Sequence, residues 1–141
     1  MTSSPLIIGV GNEDRGDDAA GIEVVRRLRS GRVVEVSDCS GLLDTWEGEE
    51  SVVVVDAMRS GQSPGSVMKF DGHAQAFPTK AFPSSHSFGV AEALELGRIL
   101  GRLPSHVTVY GIEAVNLRPG DAMSNEVAQG VSEVIDLIEA N

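Results

Sequence analysis

Asp18, Asp56 and His86 are the side chains of this sequence best suited to meet one metal ion. Two carboxylates and one imidazole make a borderline-hard donor set suited to nickel, zinc, cobalt, iron or manganese. Asp18 lies in the stretch GVGNEDRGDDAAG (residues 9–21), which follows the apolar run Leu6, Ile7, Ile8 and carries Glu13, Asp14, Asp17 and Asp18. A glycine-rich turn between a first strand and a first helix normally cradles a phosphate. Here Gly9, Gly11 and Gly16 are spaced two residues too widely for the dinucleotide fingerprint, and four carboxylates would repel an anion. Capping a helix and complementing its dipole takes one or two acids, so the surplus points to a cation. Asp56 follows four consecutive valines, at the end of a strand where an unpaired charge is costly. The competing reading makes Asp56 a cap on the turn at residues 56–61. His86 follows Ser84 and Ser85, either of which can cap a helix that His86 opens. An imidazolium is disfavoured at a helix N-terminus, so the ring stays neutral and offers a lone pair. His73, in a polar loop, and His106, before a strand, read as ordinary surface histidines.

The scaffold for these groups follows from hydrophobic periodicity. Residues 5–10, 32–37, 51–55, 66–70 and 107–112 read as strands, and the valines of 51–55 are apolar on both faces, as in a central parallel strand. Residues 17–29 and 86–101 read as helical, 41–46 as a short helix or turn, and a last helix begins near Ser124, with Val127, Val131, Val134, Ile135 and Ile138 turned inward. Strands alternating with helices predict an α/β three-layer sandwich with a mainly parallel twisted sheet of about five strands and helices on both faces. In such sheets ligands bind beyond the carboxyl ends of the strands. This puts weight on residues 12–18, Asp38, Asp56 and Glu113, with Asp38 a candidate for catalysis through positioning or general-base work.

Bulk properties narrow the function. A chain of 141 residues suits a single domain spanning 1–141. With 21 acids against 11 bases the net charge is −10, so a nucleic acid is not an expected partner. The longest aliphatic run, residues 52–55, is too short for a membrane span, and no basic flank precedes the first glycine. The expectation is a cytoplasmic monomer with no membrane contact. Cys39 is the lone cysteine, which leaves no disulfide framework and no cysteine zinc site. A thiol hydrolase pairing Cys39 with His86 lacks a nucleophile signature, Ser85 lacks the G-x-S-x-G elbow, and HExxH is absent.

The motifs together resemble the hydrogenase maturation endopeptidases. The resemblance rests on GVGN with GDDAAG at residues 16–21, the valine run closing on Asp56 and Ala57, SHSFG at residues 85–89, and YGIE at residues 110–113. It runs from about Leu6 to Ile138. It implies an endopeptidase that removes a C-terminal extension from the large-subunit precursor of an [NiFe]-hydrogenase after nickel insertion. It also implies metal contact through Asp18, Asp56 and His86, with nickel supplied by the substrate and none permanently bound. Many members carry Glu where this chain has Asp18, and the shorter arm must sit closer to reach the metal. A non-catalytic nickel-binding maturation chaperone would use the same three residues.

Overall fold

The computed structural model describes residues 4–29, 31–74, 79–82 and 88–140. Among the described residues there are five strands: β1 (Leu6–Val10), β2 (Arg32–Val36), β3 (Ser51–Met58), β4 (Val67–Asp71) and β5 (His106–Glu113). Four α-helices accompany them among the described residues: α1 (Ala20–Arg27), α2 (Leu42–Thr45), α3 (Val90–Leu100) and α4 (Asn125–Glu139). The strands form one sheet in the order β2-β1-β3-β5-β4, parallel throughout except for the antiparallel pairing of β4 with β5. The chain leaves β1 toward one edge and, after β2, crosses to the other side of β1 to form β3. The strand order therefore reverses between β1 and β3, where a crevice opens beyond the strand ends.

Alternation along the strands divides the core into two layers. On one face Ile8, Val52, Val54, Met58, Val107 and Val109 pack with Leu42 and Trp46 of the α2 region and with Val90 and Leu94 of α3. On the other, Val55, Tyr110 and Ile112 pack against Ala20 and Val24 of α1 and Val127, Val131 and Val134 of α4. Both faces are covered, as the valine-rich strand required, and β3 is central. At the last helix Ser124 caps as expected, its hydroxyl accepting the Val127 N–H at 3.3 Å.

Three local expectations are corrected. β3 runs on to Met58, because β5 pairs with Asp56, Ala57 and Met58 through Gly111, Ile112 and Glu113. Asp56 therefore lies inside the strand rather than at its end, and the cap on a turn at residues 56–61 does not apply. The helix expected from 86 begins at Val90, since Gly89 is extended and its N–H donates to the Glu92 carboxylate at 2.8 Å. His86 itself lies outside the described residues. The first helix opens with a 3-10 turn at Gly16–Ala19 and ends at Arg27.

Gly21 fixes how closely α1 rides on the sheet. A Cβ there would overlap the carbonyl oxygen of Val55 and stand 2.6 Å from that of Val10. That close approach carries the 3-10 turn to the crevice between β1 and β3. Alanine is the better helix former, yet Gly21→Ala should destabilise by about 1–3 kcal/mol, roughly 3–10 °C in Tm. Gly41→Ala, with nothing within 4 Å of its Cβ, should leave Tm unchanged or raised in thermal unfolding.

Candidate active site

A cleft of about 290 Å³ opens at the carboxyl end of the sheet, and Asp18, Asp38 and Asp56 all line it. Asp18 reaches it from the turn after β1. The Asn12 N–H donates to the Asp18 side chain at 3.1 Å and to its backbone carbonyl at 3.2 Å, which folds the loop back on itself. The site of Asp56 is more unusual. By alternation it shares a face with Val52, Val54 and Met58, the apolar face that packs against Cys39 and Phe82. It is a buried carboxyl where the core pattern calls for a hydrophobe.

The electrostatics follow from that position. Burial pushes the Asp56 carboxyl well above its ordinary range, and the Asp18 charge raises it further. Burial also raises Asp18, against the lowering effects of the Asn12 hydrogen bond and the Arg15 charge. Asp56 is the more deeply enclosed of the two and is the one to hold a proton. Two carboxyls lining one cleft can polarise a water or receive a cation. Asp38 stands at the exposed side of the cleft, one oxygen accepting the Ser40 N–H at 2.9 Å and capping the turn Cys39–Gly41.

The remaining acids of the glycine-rich turn do not join a cation cluster. Asp17 is fully buried and turned away from the cleft. It accepts the N–H groups of Val115 (2.8 Å), Asn116 (2.9 Å) and Ser124 (2.7 Å) and the Ser124 hydroxyl (3.1 Å). It thereby ties the loop after β5 and the start of α4 to the turn. Glu13 pairs with Arg26 at 2.7 Å on the surface. In a 3-10 turn successive side chains point about a third of a turn apart, which separates the neighbours Asp17 and Asp18. Glu113 is likewise structural, accepting from the Ser60 hydroxyl at 2.6 Å and from the backbone of Ser60 and Gly61. Among the described residues Asp18 and Asp56 come together, and no group of three or more His, Cys, Asp or Glu is placed to hold a metal.

The rival sites fare less well. The Cys39 thiol is buried and pushed up to about 12 by burial and by the surrounding carboxylates, Asp56 first among them, which keeps it from acting as a thiolate. Ser85 lies outside the described residues. His73 and His106 line a separate hollow at the opposite end of β5, with His73 Nε2 2.7 Å from the Pro104 carbonyl. Arg15 and Arg59 also line the main cleft, and nothing in their sequence spacing marked them.

The family model for hydrogenase maturation protease matches residues 37–141. The chain belongs to the hydrogenase maturation protease family, a family of peptidases. It is 27% identical to the hydrogenase 2 maturation protease of Escherichia coli (strain K12) over 145 residues, 96% of this chain and 88% of that one. It is also 27% identical to the hydrogenase expression/formation protein HupD of Thiocapsa roseopersicina, over 97% of this chain and 67% of that one. Its fold is similar to the [NiFe] hydrogenase maturation protease HybD from Thermococcus kodakarensis, with a TM-score of 0.76, 27% identity and 98% of each chain covered. No helix among the described residues is long and apolar enough to cross a membrane.

The acids of this maturation protease should separate in stability measurements. Asp17→Ala leaves several donors without an acceptor and should cost on the order of 3 kcal/mol, whereas Asp18→Asn should leave Tm close to wild type. Asp56→Asn should be more stable than wild type at neutral pH by about 1–3 kcal/mol, because the buried amide needs no proton taken up on folding, whereas the wild-type carboxyl does. The sign follows from the raised pKa: the wild type keeps this stability while Asp56 is protonated and loses it as pH rises through the folded value. The Tm advantage of Asp56→Asn should vanish below about pH 4 and grow above it. Thermal unfolding across pH reads all three variants.

Proposed function

We propose that this chain is the endopeptidase that removes the C-terminal extension from the large-subunit precursor of an [NiFe]-hydrogenase once nickel has been inserted. The nickel serves as the mark by which the substrate is recognised. The observation that carries this reading is the pair of carboxyls, Asp18 and Asp56, facing one cleft at the β1/β3 crevice, with Asp56 set into the apolar face of the central strand. A buried carboxyl whose proton is held by desolvation is expected at a functional site and is an expensive way to fill a core. His86, assigned by the resemblance, is the third contact in this reading, and Phe82 and Phe88, described on either side of it in sequence, both line the cleft.

The chemistry divides among the residues as follows. Asp18, Asp56 and His86 contact the substrate's nickel, which anchors the peptide and polarises the scissile carbonyl or the attacking water. Asp38, at the solvent side of the same cleft, positions or deprotonates that water. Borne by the substrate, the metal leaves the enzyme without a cofactor of its own. The setting is a cytoplasmic monomer acting on one protein partner. The net charge of −10 argues against polyanionic competitors.

The test is to incubate the enzyme with nickel-free and with nickel-loaded precursor and to follow the mass of the large subunit. Only the nickel-loaded form should be cleaved, and free nickel added to the enzyme should not substitute. Asp56→Asn and His86→Ala should slow cleavage by about 100-fold or more, with folding retained. Equal cleavage of both forms would defeat recognition through nickel. Retention of nickel by the enzyme with no loss of mass from the precursor would favour the chaperone reading.

A further inference from the structure

β2 is an edge strand, and its free side leads into the cleft. Among the described residues it pairs only with β1, and the order β2-β1-β3-β5-β4 leaves its other side open. The Gly11 N–H donates to the Val36 carbonyl at 3.0 Å, so Val36 turns its backbone groups toward β1. By alternation Arg32 and Val34 do the same, while Val33 and Glu35 present their N–H and C=O groups outward. Among the described residues these outward groups find no partner, and Val33 is 43% exposed. Beyond the strand the chain continues through Ser37 and Asp38, both on the cleft wall. A second hollow of about 250 Å³, lined by Glu13, Arg26 and Glu35, joins the cleft through the shared residues Gly11 and Ser37.

We infer that β2 is the substrate-docking edge: an extended segment of the precursor next to the scissile bond adds to it as a sixth strand and is thereby fed into the cleft. The inference rests on the peptidase reading proposed above. Backbone hydrogen bonds to an open edge hold an extended peptide with little regard to its sequence, and the hollows beside the edge select alternate side chains. Five residues of strand span about 16 Å, enough to align a short segment on one side of the bond to be cut. The charged side chains of the edge are engaged on the surface by partners of the same chain, Arg32 by Glu49 and Glu35 by Arg26 at 2.9 Å. Backbone donors and acceptors are what remain for a visitor. A second copy of this chain is the poorer occupant, because each copy carries a charge of −10.

Proline is tolerated in a sheet where its missing N–H faces outward on an edge, so Val33→Pro removes one docking donor without touching the β1 ladder. With nickel-loaded precursor, Val33→Pro should raise KM by about 10-fold or more, leaving kcat and Tm near wild type, and Val33→Thr should match wild type. In parallel, amide hydrogen exchange on the unmodified full chain should show Val33 and Glu35 slowed at least about 10-fold when precursor is in excess. The exchange measurement decides the matter even where Val33→Pro fails to fold. Cleavage with freely exchanging Val33 and Glu35 amides and an unchanged KM would overturn the docking edge and leave the peptidase reading standing. Slowed exchange without cleavage would support the docking edge and remove the peptidase reading. Precursor that does not bind, or slowing that appears when the enzyme alone is concentrated, would also overturn the proposal.

Discussion

A carboxyl on the apolar face of the central strand is the constraint around which the site is arranged. Asp56 takes the place in the alternation Val52, Val54, Asp56, Met58 where a hydrophobe would extend the core. Such a group is tolerable only where it can stay protonated, meet a cation, or open to water at one side. The fold supplies the last of these. The strand order reverses between β1 and β3, and the cleft there is lined by Asp56. β5 then pairs with β3 past the carboxyl as far as Met58, so the strand carrying it is held on both sides of the site. Stability lost at this residue is offset by the apolar layers on either face of the sheet.

Turn glycines complete the arrangement by removing bulk rather than by binding anything. Gly21 lets α1 approach the backbones of β1 and β3, and Gly11 (φ 149°) turns the chain directly beneath the Asp18 carbonyl, which a Cβ would overlap. Close backbone approach is the same use that dinucleotide-binding folds make of their glycines. In this chain it brings the Asp18 carboxyl, not a phosphate, to the end of the sheet.

The sheet and its layers were legible because burial leaves a periodic trace. Four valines in a row required cover on both faces, and the inward positions of α4 were readable at helical spacing. Directions of individual polar side chains leave no such trace. Asp17 and Asp18 are neighbours of identical type, yet one ties together the loop after β5 and the start of α4 while the other faces the cleft. What separates them is the tighter 3-10 turn and the location of unsatisfied N–H groups a hundred residues away, neither of which is local information. The extent of β3 was missed for a related reason. An aspartate reads as a strand terminator, and only the partner strand β5 reveals that pairing continues. Arg15 and Arg59 reach the cleft from loops, where spacing carries no pattern at all.

The charge state of the pair bears on what it can receive. With Asp56 held protonated by burial and by Asp18, the site is less negative than a count of its acids suggests. A free divalent ion would have to displace that proton and shed much of its own hydration for few protein donors. A metal presented by a docked polypeptide arrives with ligands already in place and with the entropy of association carried by the docking surface. On the proposed reading the same pair of carboxyls favours an ion held in a protein over an ion in solution. On that reading an unmetallated precursor passes uncut because it brings no cation to the buried Asp56 carboxyl, even where its polypeptide docks.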